Sequence, residues 1–145
     1  MSGIVPSGVP GNEHFYRDYM NEKRKNATNA AALTGKATLS QTAMASYLIE
    51  VADDKDYRVI INSAVGFTIN SVTTRSSTGT CTLTVKINAT ALGGTANSVS
   101  TSESTQTHST SNTLAAGDDL VLTVSSNSGA ENVSVTIAAT VTLSA

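Results

Sequence analysis

Cysteine, tryptophan and charge are scarce in this sequence. Its 145 residues include one cysteine, no tryptophan and two prolines, with aromatics at 4% and charged residues at 14%. Cys81 has no second cysteine to pair with, so intrachain disulfides do not staple this fold. Nine basic and eleven acidic side chains leave a formal charge of −2. The basic field that nucleic acid or an anionic membrane surface requires is absent, and both partners are disfavoured. No apolar run approaches the roughly 20 residues that span a bilayer. The stretch Met1 to Gly11 interleaves Gly and Pro with Ile4, Val5 and Val9. It lacks the basic and continuous apolar regions of a secretory signal, so synthesis without export is expected.

What is abundant is the small hydroxyl: 19 serines and 22 threonines. Charge and aromatics are concentrated at the front. Seven basic and seven acidic residues lie within positions 1–60, and Phe67 is the only aromatic beyond Tyr57. Within this front, the Gly-Pro segment 3–11 reads as an extended arm, because each Pro fixes its own φ and keeps its predecessor out of the helical region. Asn12 is a suitable N-cap and Glu13 suits a first turn, while Lys23, Arg24 and Lys25 suit a last one. A helix over 13–25 is predicted. On it Phe15 with Tyr19, and Tyr16 with Met20, are spaced i, i+4 and form one aromatic stripe. The Ala, Thr and Asn-rich stretch 26–41 fits either a second weak helix or a connector.

The body alternates. Val133, Val135, Ile137, Ala139, Val141 and Leu143 are interleaved with Ser134, Thr136, Ala138, Thr140 and Thr142, the period of a strand with one buried face. Cys81, Leu83, Val85 and Ile87 repeat the pattern, as do Leu120, Leu122 and Val124, with Val121 on the outer face. Segments 47–51, 57–62 and 67–74 read as strands of less regular phase, and 98–113 as one or two weak ones. Turn chemistry falls at 76–79, 93–94, 117–119 and 126–129. Seven or eight short strands at this spacing predict an all-β protein. The expected form is an antiparallel β-sandwich, jelly-roll or immunoglobulin-like, preceded by an extended N-terminal arm and a short α-helix. The expected division is a docking segment 1–45 and a sandwich domain 46–145. The buried faces are thin, and a flat Ser/Thr surface does little to block edge pairing, so self-association is expected.

Catalytic and metal chemistry find little footing. His14 and His108 lie beside neither a second ligand at zinc spacing nor a serine elbow, and His108 reads as solvent-facing. Cys81 reads as a small buried apolar side chain. Gly117-Asp118-Asp119 could offer calcium two carboxylates beside Asn127, but a turn is favoured, because the dense ligand spacing of a dedicated loop is missing. Asp53, Asp54 and Asp56, mixed with Lys55 and Arg58, read as a solvated hairpin tip. The Thr-x-Thr pairs at 80–84 and 105–107 keep no fixed interval, which argues against an ice-binding solenoid. No enzyme, cofactor or metal is expected.

The run Ser76-Ser77-Thr78-Gly79-Thr80-Cys81-Thr82-Leu83-Thr84-Val85-Lys86-Ile87-Asn88 is followed by Leu92-Gly93-Gly94. Then comes Ala115-Ala116-Gly117-Asp118-Asp119-Leu120-Val121-Leu122-Thr123-Val124-Ser125. Over about residues 57–143 this resembles short domains of bacteriophage virion proteins, in head-surface and tail-fibre modules alike, although Ala89 stands where that pattern has glycine. The resemblance implies a structural virion component made in the host cytoplasm, a homotrimer in the usual case, with no catalytic residues. Together with the front segment it leads to the expectation of a capsid decoration or head-surface protein docked on a larger virion protein such as the major capsid protein. Ile4, Val5, Val9, Phe15, Tyr16, Tyr19 and Met20 are the expected contacts. The alternatives are a tail or fibre-attachment protein and, from another class, a carbohydrate-binding β-sandwich module.

Overall fold

The computed structural model describes residues 17–26 and 38–144. Residues 17–26 form the helix α1, and 39–142 form a separate compact unit of strands. The expected arm, with Ile4, Val5 and Val9, and the stripe residues Phe15 and Tyr16 lie outside the described residues. On α1, Lys25 reaches Glu22 at 3.2 Å, and the Lys23 ammonium sits 5.3 Å from the Tyr19 ring centroid.

The strands are β1 (Thr38–Val51), β2 (Asp56–Ile60), β3 (Phe67–Arg75), β4 (Thr78–Ile87), β5 (Thr90–Ala91), β6 (Asn97–Val99), β7 (Ser104–Thr107), β8 (Thr113–Leu114) and β9 (Leu120–Ser144). They are antiparallel and curl into a half-barrel, an all-β, sandwich-like fold. The strand expected over 47–51 begins at Thr38, so the last residues of the ambiguous segment 26–41 belong to β1.

Everything is hung on β9. Leu120–Thr123 pair with β4 on one edge and with β2 on the other, and Ser134–Thr140 pair with β3. β1 takes the opposite edge there. The Ser46 hydroxyl lies 3.4 Å from that of Thr136, and the Ala52 amide donates to the Ala130 carbonyl at 3.3 Å. A rise of six in β1 matches a fall of six in β9, which makes the pair antiparallel. The chain before the bend therefore completes one layer and the chain after it completes the other.

The turn expected at 126–129 is instead this bend, and the two strands expected at 120–125 and 133–143 are one. Thr78, Thr80 and Thr82 of β4 face Glu131, Ser128 and Ser125, so three residues of β9 oppose two of β4 at each step. The extra residues are β-bulges, which sharpen twist and bend the strand. Ser126, Gly129 and Asn132 take positive φ of 52°, 67° and 49° in this stretch. Opposite them Gly79 also has positive φ, and a Cβ there would lie 2.1 Å from the Gly129 carbonyl.

Bulges also explain the irregular strands. On β3 the register slips between Ile69 and Ser71, so the buried set moves from Ile69 to Val72 and Thr74. On β2 it slips between Arg58 and Ile60. The core joins Cys81, Leu83, Val85, Ile87, Leu120, Leu122, Val124, Val133, Val135 and Ile137, which the alternation predicts, to Ile69 and Val72 of the irregular β3. Three positions differ. Val141 is only half-buried, Leu143 is exposed, and Val121, expected outside, is buried. On one side of the unit the layers are tied by Asn97, whose buried amide donates to the Val72 and Ser104 carbonyls at 2.9 and 3.3 Å.

Truncating Ile137, 1% exposed, to Ala is expected to cost about 2–5 kcal/mol in chemical denaturation. Thr136→Ala, on the opposite face of the same strand, should stay within about 0.5 kcal/mol. Similar small losses at both would refute the face assignment.

Gly79→Ala should cost about 1–3 kcal/mol or more, since it adds backbone overlap to an unfavourable φ. Gly129→Ala, which meets no atom within 4 Å, should lose only about 1–2 kcal/mol from its φ. Thermal melts of the two variants check the order.

Candidate functional site

The acidic motifs are spent on the fold itself. The Asp118 carboxylate accepts from the Asn88 amide at 2.8 Å and from the Ala115 N–H at 2.9 Å, while that of Asp119 accepts from Arg58 at 2.8 Å and from the Asn62 N–H at 2.9 Å. Asn88 returns its own oxygen to the Asp119 N–H. All four carboxylate oxygens therefore face protein donors, the arrangement of a tied turn rather than an open calcium loop. These hydrogen bonds, the Asn88 one foremost, hold the Asp118 carboxyl below the ordinary aspartate range. The tip 52–55 is docked in the same manner. Asp54 accepts from the Asn127 N–H at 2.9 Å, Asp56 accepts from the Thr123 hydroxyl at 2.6 Å, and the Asn127 side chain bridges the Ala52 carbonyl and the Ala130 N–H. Among the described residues no group of three His, Cys, Asp or Glu could hold a metal ion. None of their helices is long and apolar enough to cross a membrane.

His108 corrects the sequence reading: it is buried, not solvent-facing. Its Nδ1 lies 2.8 Å from the Gly93 carbonyl, so that nitrogen carries the proton and donates. Nε2 is buried and has no hydrogen-bond partner among the described residues. The Ser and Thr residues around it in sequence hid this, because the Gly93 carbonyl meets the ring, and the Asn112 amide the His108 carbonyl, only in three dimensions. Cys81 is buried as expected, and desolvation pushes its thiol up, away from nucleophilic use.

What the fold leaves open is the edge where β1 and β2 part. Among the described residues each pairs with β9 alone. From the tip at 52–55 they diverge around a cleft of about 610 Å³ lined by Tyr47, Glu50, Val51, Tyr57 and Arg58. Beside it an apolar hollow of about 220 Å³ is walled by Ala43, Ala45, Tyr47, Ile60, Phe67 and Ile137. The hollow exists because β1 turns alanines inward at 43 and 45, where the other strands bring Val, Leu or Ile. Between the polar Thr42, Ser46 and Glu50, the outward side of β1 also carries two large apolar residues: Met44 is 72% exposed and Leu48 59%. Over all fourteen residues β1 carries one charge, Glu50. Such an arrangement is suited to covering by another apolar strand or side chain.

Of the expected contact residues, Tyr19 is half-exposed and Met20 less so, both on α1, and the other five are outside the described residues. The β1 edge went unnoticed in the sequence, although Met44 and Leu48 in an uncharged Ala, Ser and Thr run carried the signal.

Because folding lowers the pKa of Asp56 and Asp118, the folded state binds fewer protons there than the unfolded chain. Their stabilisation is present above the ordinary aspartate range and is lost as pH falls through that range and below. Asp118→Asn should flatten this acid limb of the melting-temperature profile while leaving the neutral side shallow. An unchanged acid limb would remove Asp118 from the account.

No family model and no curated protein sequence matches the chain.

Proposed function

We propose that the protein is a structural virion component, a capsid decoration or head-surface accessory protein that docks on a larger assembly and catalyses nothing. The observation that carries the reading is a contrast. The carboxylates of Asp54, Asp56, Asp118 and Asp119, together with His108 and Cys81, are tied up in the fold, whereas the accessible feature is a nearly uncharged strand edge carrying exposed apolar side chains. Surfaces of that kind are interaction sites. The resemblance of segments 76–88, 92–94 and 115–125 to virion modules supplies the biological setting. The front segment, with Ile4, Val5, Val9, Phe15, Tyr16, Tyr19 and Met20, supplies side chains suited to an apolar patch on the partner. A tail or fibre-attachment role is the neighbouring reading in the same class. A carbohydrate-binding role is less well supported, since Tyr47, Tyr57 and Phe67 pack against the core instead of standing free to stack on a sugar ring.

Mixed with assembled particles that lack it, the full chain should sediment with them at a saturable, fixed stoichiometry. The triple variant Ile4→Ser, Val5→Ser, Val9→Ser should melt like the parent yet remain in the supernatant. A parent chain that never sediments with particles at micromolar concentration would sink the proposal.

A further inference from the structure

We infer that the free edge of β1 is a self-recognition surface, on which a second copy of the chain adds its own β1 antiparallel about a two-fold axis at Ser46. The occupant follows from the strand's own sequence. Edges that must stay single carry lysines, prolines or bulges, or are kept short. β1 is fourteen residues long and contains no proline, glycine or basic side chain.

Its pattern is also self-complementary in one register. With the axis at Ser46, Met44 faces Leu48 on the outer side of the sheet, so the two exposed apolar side chains cover each other. On the inner side Ala45 faces Tyr47 and Ala43 faces Ile49. The large residues of one copy thus meet the small residues that leave the 220 Å³ hollow of the other. The one charge, Glu50, faces Thr42 and not its own image. Moving the axis to Tyr47 sets Tyr47 against Tyr47 and Met44 against Glu50. Moving it to Ala45 sets Leu48 against Thr42 and Met44 against Ser46. Only the Ser46 register pairs large with small inside, apolar with apolar outside, and avoids a charge at an apolar partner.

The backbone is compatible. Ala52 gives its N–H to Ala130, so even-numbered residues of β1 direct their peptide groups toward β9 and odd-numbered ones toward the free edge. Pairing 45 with 47 and 43 with 49 uses those odd positions. The result is a closed two-fold dimer, in contrast to the three-fold assembly that the virion resemblance implies, and it concerns the purified protein without any particle.

Native mass spectrometry and sedimentation of the full chain at micromolar concentration test it. The parent is expected at twice 14.9 kDa. The Met44→Lys, Leu48→Lys variant sets like charges against each other across the axis and should be monomeric, with at least a tenfold weaker dimer. The Met44→Lys, Leu48→Glu variant restores opposite charges at the same positions and should recover the dimer. Circular dichroism melts confirm that each variant is folded; should either Lys variant fail to fold, Ser46→Cys decides. Facing residues across an antiparallel pair are within disulfide reach, and Cys81 is buried, so Ser46→Cys should cross-link to a dimer under mild oxidation. A parent that is monomeric or trimeric, a like-charge variant that keeps the parent's mass, or a Ser46→Cys chain that does not cross-link would each overturn the proposal.

Discussion

The bend in β9 is the constraint from which the rest of the structure follows. One strand of twenty-five residues serves both layers, and it can do so only by changing direction between Ser125 and Asn132. A straight strand would leave β1 and β3 in the same plane as β2 and β4, with one face of every alternating segment in water. Bulging lets the inward faces of Leu120–Val124 and Val133–Ile137 meet in one core. Positive φ at Ser126, Gly129 and Asn132, together with the bare backbone of Gly79 across from them, is the local cost of that economy.

Polar clamps secure what the thin core cannot. Asn127 fastens the β1–β2 tip to the bend, Asn97 joins the layers on the side away from it, and Asn88 with Asp118 and Asp119 closes the turn that leads into β9. Each uses a short side chain that donates and accepts to backbone groups, so a chain without disulfides obtains fixed corners from asparagine and aspartate. Where β1 and β2 part, no asparagine clamp joins them among the described residues.

Alternation made most of the sheet legible beforehand. Strand β4 from Cys81 and the arms of β9 on either side of its bend, Leu120–Val124 and Val133–Ala139, alternate with a period of two, and apart from Val121 their buried residues could be named from the sequence. Where a bulge intervenes, at Asn70 on β3 or Val59 on β2, the phase slips by one and the sequence reads as irregular. The segment 126–129 misleads for a related reason, because Ser, Asn and Gly that permit a hairpin turn permit consecutive bulges equally well. Of the candidate site, the uncharged Ser/Thr surface pointed to association, but which edge lacks a neighbour depends on pairings remote in sequence. His108 hid for the same reason, since its partner Gly93 stands fifteen residues away.

The order of the strands along the chain has its own consequence. β9 is the common partner of β1, β2, β3 and β4, yet the ribosome makes it after all of them. Until it emerges, the first four strands have no shared partner across which their apolar faces can close. Folding of this unit therefore waits on the emergence of β9, with non-local pairings made late and all at once. During that wait β1, with its single charge, is exposed on a nascent chain, where a chaperone or a neighbouring polypeptide on the same message would meet it first.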